Sequence, residues 1–236
     1  MPAAAGGVSE RGVMKAGGDR VPGAVLAEAV GCHQRGDLAG AARGYRAVLS
    51  ALPRQFEALL YLGLLEAQRG NVAEGAQWLR QAAAVQPGSE AAQLNLANAL
   101  FELGQLEEAL AATGAALKAN ARSALTLNSR GLILLELKRP GEALECFERA
   151  LGLEAGYVDA LSNRGNALLA LKRTEEALAS YERALQLDPQ SERVWMNRGD
   201  ALAELKRYPE AEASYERALQ LRPGYVEALH HRGMAK

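Results

Sequence analysis

Apolar residues recur along this chain at helical spacing, and the spacing itself recurs. Within 158–191, Leu161, Gly165 and Leu168 share one helical face, and Ala177, Tyr181 and Ala184 share another. That is the stripe of a helix with one buried side. Between the two stripes Lys172-Arg173-Thr174 predicts a turn, with Glu175 and Glu176 set near the positive end of the second helix dipole. Pro189 cannot donate a backbone hydrogen bond, so the second helix is expected to end before it. The stretch reads as two amphipathic helices joined by a short turn.

The same pattern returns every 34 residues. Asp159-Ala-Leu-Ser-Asn-Arg-Gly-Asn-Ala-Leu168 answers to Arg193-Val-Trp-Met-Asn-Arg-Gly-Asp-Ala-Leu202. A small residue recurs at Ala29, Gly63, Ala97, Gly131, Gly165, Gly199 and Gly233, and a second at Ala41, Gly75, Ala109, Ala143, Ala177 and Ala211. A larger side chain follows at Tyr45, Leu79, Thr113, Phe147, Tyr181 and Tyr215. Units close at Pro53, Pro87, Ala121, Ala155, Pro189 and Pro223. These landmarks define six units, 22–55, 56–89, 90–123, 124–157, 158–191 and 192–225, and a truncated first helix of a seventh, 226–236. A mid-helix Gly costs about 1 kcal/mol relative to Ala. Its recurrence predicts that the close helix contact it permits recovers more than this.

Composition narrows the function. Lysine and arginine number 27 against 28 acidic residues, a formal net charge of -1, so no global field draws the surface onto nucleic acid. Cys32 and Cys146 stand far apart and read as small core thiols in a reducing compartment. Residues 1–21 are rich in Ala and Gly, with charges breaking every apolar run, and read as a disordered tail. No segment offers the roughly 20 uncharged apolar residues of a membrane span. The expectation is a cytoplasmic protein that binds neither membrane nor nucleic acid.

The arrangement of Trp195, Gly199, Leu202, Ala211, Tyr215, Ala218 and Pro223 resembles the tetratricopeptide signature, and the resemblance covers about nine tenths of the chain. It implies an all-α fold, a right-handed superhelical solenoid of antiparallel helix pairs, with the first helix of each unit lining a concave groove. Gly75, Thr113, Ala121 and Ala155 depart from the signature, which predicts that units two to four are looser or have longer second helices. Pentatricopeptide arrays have 35-residue units, and HEAT or armadillo units run to about 40 to 47 residues. Neither fits.

The first helices supply the binding candidates. Asn95, Ser129, Asn163 and Asn197 stand 34 residues apart, with Asn98, Asn166 and Asp200 one helical step away. Amides facing a groove would offer donors and acceptors to the backbone of an extended peptide. In this the array resembles the asparagine ladder of the O-linked N-acetylglucosamine transferase superhelix. The same amides could equally cap local backbone or bridge adjacent units. A second ladder, Arg130, Arg164, Arg198 and Arg232, could grip acidic ligands or pair with Glu148, Glu182 and Glu216, the latter pairing being the favoured reading. His33, His230 and His231 show no metal-ligand spacing, and Trp78 and Trp195 read as core fillers. No phosphate loop, nucleophile elbow or carboxylate pair is evident, so neither catalysis nor a cofactor is expected.

The chain stops inside a helix, at Gly233-Met-Ala-Lys236, which would expose an apolar end and invite self-association. The expectation is a fragment of a longer bacterial protein. Two functions fit: a scaffold holding protein or peptide partners in its groove, and a substrate-recruiting arm like that of glycosyltransferases of the O-linked N-acetylglucosamine transferase and SPINDLY kind.

Overall fold

The computed structural model describes residues 22–234. The expected disordered tail, 1–21, lies outside the described residues, as do the last two. Among the described residues the elements are helices throughout. First helices run Pro22–Gln34 (α1), Phe56–Gln68 (α3), Glu90–Glu102 (α5), Ala124–Glu136 (α7), Val158–Ala170 (α9), Glu192–Glu204 (α11) and Val226–Met234 (α13). Second helices run Leu38–Ala51 (α2), Val72–Val85 (α4), Leu106–Ala119 (α6), Pro140–Leu153 (α8), Thr174–Leu187 (α10) and Tyr208–Leu221 (α12). Each pair is antiparallel, and successive pairs stack into a superhelical solenoid.

Ala121 and Ala155 do not lengthen their helices. α6 and α8 have 14 residues each, like every other second helix. Each ends at a capping residue without a proline, Asn120 after α6 and Glu154 after α8. Thr174, expected in the turn, is instead the first residue of α10.

The helix pair closes where the small residues fall. A Cβ built on Gly165 would lie 2.6 Å from Cζ of Tyr181, and Gly131 and Gly199 meet Phe147 and Tyr215 in the same way. Those rings are almost wholly buried. The turns solve one backbone problem with two residue types. Gly36, Gly70 and Gly104 turn the first three units at positive φ; Lys138, Lys172 and Lys206 take the same place later, at φ 58°, 61° and 61°. Arg173 then clamps Glu176 at 2.6 and 2.8 Å, as Arg139 clamps Glu142 and Arg207 clamps Glu210.

First helices also touch first helices of neighbouring units, α3 with α5, α5 with α7, α7 with α9 and α9 with α11, whereas no pair of second helices packs as closely. The stack therefore curves with its odd-numbered helices inside. That is the face to which the sequence assigns the amide ladder.

Candidate functional site

The amides form rungs between units. Asn197 Nδ2 donates to Asn166 Oδ1 at 3.0 Å, and Tyr181 donates its hydroxyl to that same oxygen at 2.7 Å. One unit on, Tyr215 donates to Asp200 Oδ1 at 2.9 Å, and His231 Nδ1 lies 2.6 Å from it. A rung thus joins the tyrosine of a second helix, an acceptor on its own first helix, and a donor on the next first helix. Burial pushes the Tyr181 and Tyr215 hydroxyls above their ordinary range, and the Asp200 charge adds to the effect.

Asn163 departs from the groove expectation. It is only 3% exposed, and its Nδ2 donates to Asn128 Oδ1 at 3.0 Å. The reason is local: the preceding unit carries Leu132 and Phe147 where a rung needs an acceptor and a hydroxyl, so the amide turns to Asn128. Arg193 approaches Asn163 Oδ1 at 3.5 Å and pairs with Asp159 at 2.8 Å. Asn95 returns its amide to Ala91 O of its own helix at 2.8 Å. Asn98 is exposed, Ser129 half-buried, and neither side chain makes a hydrogen bond among the described residues.

The arginine ladder is structural in its middle. Arg164 lies 3.6 Å from Glu148, and Arg198 lies 3.2 Å from Glu182. Their shorter bonds, 2.6 Å each, go to the buried hydroxyls of Ser180 and Ser214, which in turn donate to the carbonyls of Glu176 and Glu210. Among the described residues Arg130 makes no ion pair, because Gly114 stands where Glu148 and Glu182 do; it donates to Leu110 O at 3.0 Å and approaches Thr113 Oγ1 at 3.4 Å. The fourth expected pair, Arg232 with Glu216, is not made among the described residues. In the first units the polarity is reversed. Arg46 reaches forward to Glu66 and Glu74, at 2.9 Å each, and Arg80 reaches Glu108 at 2.8 Å.

Sequence reasoning missed several members of this network. Asn128, the Tyr hydroxyls and His231 carry rungs; the offset of 34 from Asn197 to His231 was the available signal. Glu66 is fully buried, held by Arg46, by Arg69 at 3.3 Å and by Asn71 Nδ2 at 2.7 Å, with nothing in the repeat to mark it. His33 lies 3.2 Å from the Tyr45 hydroxyl and 3.4 Å from Gln68, a variant rung in the first unit. Burial pushes the Tyr45 hydroxyl up to about 12. Trp78 and Trp195 are half-buried, their ring nitrogens donating to Glu74 at 3.2 Å and Pro189 O at 3.0 Å. Each flanks a cleft beside the second helices, of 390 and 350 Å³, and a third such cleft of 540 Å³ lies between Glu148, Arg164 and Arg183. Cys146 is buried and Cys32 half-buried.

Comparison with known proteins gives this geometry its family. A family model for the tetratricopeptide repeat matches residues 34–92, 94–158, 129–192 and 163–226. The chain belongs to the tetratricopeptide repeat family. No curated protein matches it. Among solved structures, a tetratricopeptide repeat protein from Parabacteroides merdae is 19% identical with a TM-score of 0.80, covering 91% of this chain and 85% of that one. A MamA protein is 24% identical, with a TM-score of 0.67, over 72% of this chain and 92% of its own. YrrB, described as a TPR protein with an unusual peptide-binding site, is 19% identical, with a TM-score of 0.63, over 81% and 99%. At these identities the likeness establishes the tetratricopeptide fold. Among the described residues no helix is long and apolar enough to cross a membrane.

Proposed function

We propose that this tetratricopeptide array is a protein-interaction scaffold that holds an extended peptide segment of a partner along its odd-numbered helices. One observation carries the reading: first helices pack against first helices while second helices splay, so the inner face is continuous across units. The likeness to YrrB, whose description names a peptide-binding site, supports a peptide as the occupant. An extended segment has free backbone donors and acceptors to offer the groove, whereas a helix has already paired its own.

The alternative, an arm delivering acceptor protein to a glycosyltransferase, draws on the resemblance of the ladder. That support is weakened because Asn163 and Asn197 bond between units. The scaffold is therefore the reading adopted.

A peptide selected on the chain from a displayed random library provides the test. Hydrogen exchange with that peptide bound is expected to slow in odd-numbered helices only. Protection confined to even-numbered helices would overturn the reading.

A further inference from the structure

The rungs are not all closed: none joins α3 to α5, where Leu64 stands in the acceptor place and Asn95 bonds its own helix, and between α5 and α7 both places are polar yet unbonded. Asn98 and Ser129 stand 31 residues apart, the separation of Asn166 from Asn197 and of Asp200 from His231. They occupy the acceptor and donor places of a rung between α5 and α7, yet no bond joins them. Two substitutions account for this. Thr113 stands where the rung tyrosine would be and turns its hydroxyl to Leu110 O at 2.8 Å. Ser129 is too short to replace the amide arm of Asn197. The junction holds by other means: Asn120 Nδ2 and Thr126 Oγ1 donate to Glu90 at 2.7 and 3.0 Å, and hydrogen bonding holds the Glu90 carboxyl below its ordinary range. The amide of Asn98 is thus released from a structural role without loosening the stack.

What surrounds it points to an occupant. Asn95, Asn98 and Glu102 follow one stripe of α5; Leu125, Ser129, Leu132 and Glu136 follow one stripe of α7. Leu125 is 56% exposed. Glu102 and Glu136 are exposed, make no ion pair among the described residues, and are the last residues of α5 and α7. Their charges therefore add to the negative ends of two neighbouring helix dipoles. Elsewhere the corresponding charge is neutralised, Glu204 by Lys172 at 3.0 Å. A peptide cation set here would find carboxylates that need not first give up another partner.

Resting on the groove reading above, we propose that the open rung between α5 and α7 is where the partner peptide is gripped, and that the segment it grips is basic. Asn98 bonds the peptide backbone, Leu125 takes the apolar part of a side chain, and Glu102 and Glu136 receive lysine or arginine. The closed rungs that follow, Asn128 with Asn163, Asn166 with Asn197 and Asp200 with His231, act as mortar.

The test uses two fluorescein-labelled, unstructured Ser/Ala/Gly peptides, one carrying spaced lysines and the other glutamates at the same places, titrated by anisotropy. The lysine peptide is expected to bind, with affinity falling as salt rises. Asn98→Ala and the pair Glu102→Gln, Glu136→Gln are each expected to weaken it about tenfold, the scale of a lost charge-assisted contact. The pair Glu145→Gln, Glu175→Gln, the same charge change on the outer helices α8 and α10, is the control and should leave affinity unaltered. Circular dichroism of each variant checks that the fold is kept. Preference for the glutamate peptide, absence of lysine-peptide binding, or binding untouched by the α5 and α7 variants would overturn the open-rung proposal. None of these touches the groove reading, which the exchange footprint of a library-selected peptide tests separately.

Discussion

Asn197 donates its side-chain amide to Asn166 across the boundary between two units, at an oxygen that already accepts the buried Tyr181 hydroxyl. A single acceptor therefore couples the closing of one helix pair to the stacking of the next. Asn166→Ala would leave a buried hydroxyl without its partner, at about 1 to 3 kcal/mol. Chemical denaturation is expected to show that loss, together with earlier hydrogen exchange in α11 than in α5.

The buried tyrosines make the array sensitive to alkali. Tyr45, Tyr181 and Tyr215 have hydroxyl pKa values raised by burial, Tyr45 to about 12. In the unfolded chain a tyrosine ionises near pH 10. Their contribution to stability is complete below that pH and is lost as pH climbs through 10 towards the folded values, at about 1.4 kcal/mol per tyrosine for each further pH unit. Ellipticity followed from pH 8 to 12 is expected to fall cooperatively. Replacing Tyr181 and Tyr215 with Phe should make that fall shallower, and an unchanged slope would exclude the tyrosines as its cause.

Lys138, Lys172 and Lys206 hold a left-handed backbone that costs a residue with a side chain about 1 to 2 kcal/mol. Glycine relieves this but gives the unfolded chain about 0.4 to 1 kcal/mol of extra freedom. Each Lys→Gly change is expected to raise stability slightly, by about 0 to 1.6 kcal/mol. The exposed Lys172 pair with Glu204 subtracts little from the gain. Thermal melts of the triple variant would show the sum.

Gly165→Leu places a side chain inside the ring of Tyr181 and is expected to cost about 1 to 3 kcal/mol. Adding Tyr181→Ala should return part of that, because the ring is the obstacle. An unshifted denaturation midpoint for the single variant would show the contact to be misplaced.

Glu66→Leu removes a buried carboxylate that binds Arg46, Arg69 and Asn71. Both arginines are partly exposed, so water takes over their charges, and the expected cost is about 1 to 3 kcal/mol instead of the larger loss of a fully buried pair. A double-mutant cycle with Arg46→Ala would measure the coupling.

How far the site could be read depended on the kind of interaction. Recurring Gly165 and Tyr181 announce a steric fit, which follows from residue size alone and survives into the structure as a ring against a bare helix. Asn163 announced a donor and an acceptor but not their partners. Its turn to Asn128 depended on Leu132 and Phe147, residues of another unit whose own pattern gives no hint of polar consequence. Glu66 carried no periodic mark, because its ion pairs are particular to one junction.

The amino-acid pattern by itself determined the helix pairs, their period and their stacking, since burial of apolar stripes and clearance between backbones depend on side-chain volume at fixed spacing. Tertiary structure alone decided which polar groups bind each other and which stay exposed. A hydrogen bond requires two atoms within about 3 Å, and residues such as Asn98 and Ser129 or Asp200 and His231, identically spaced along the chain, differ in whether their side chains can cross that distance.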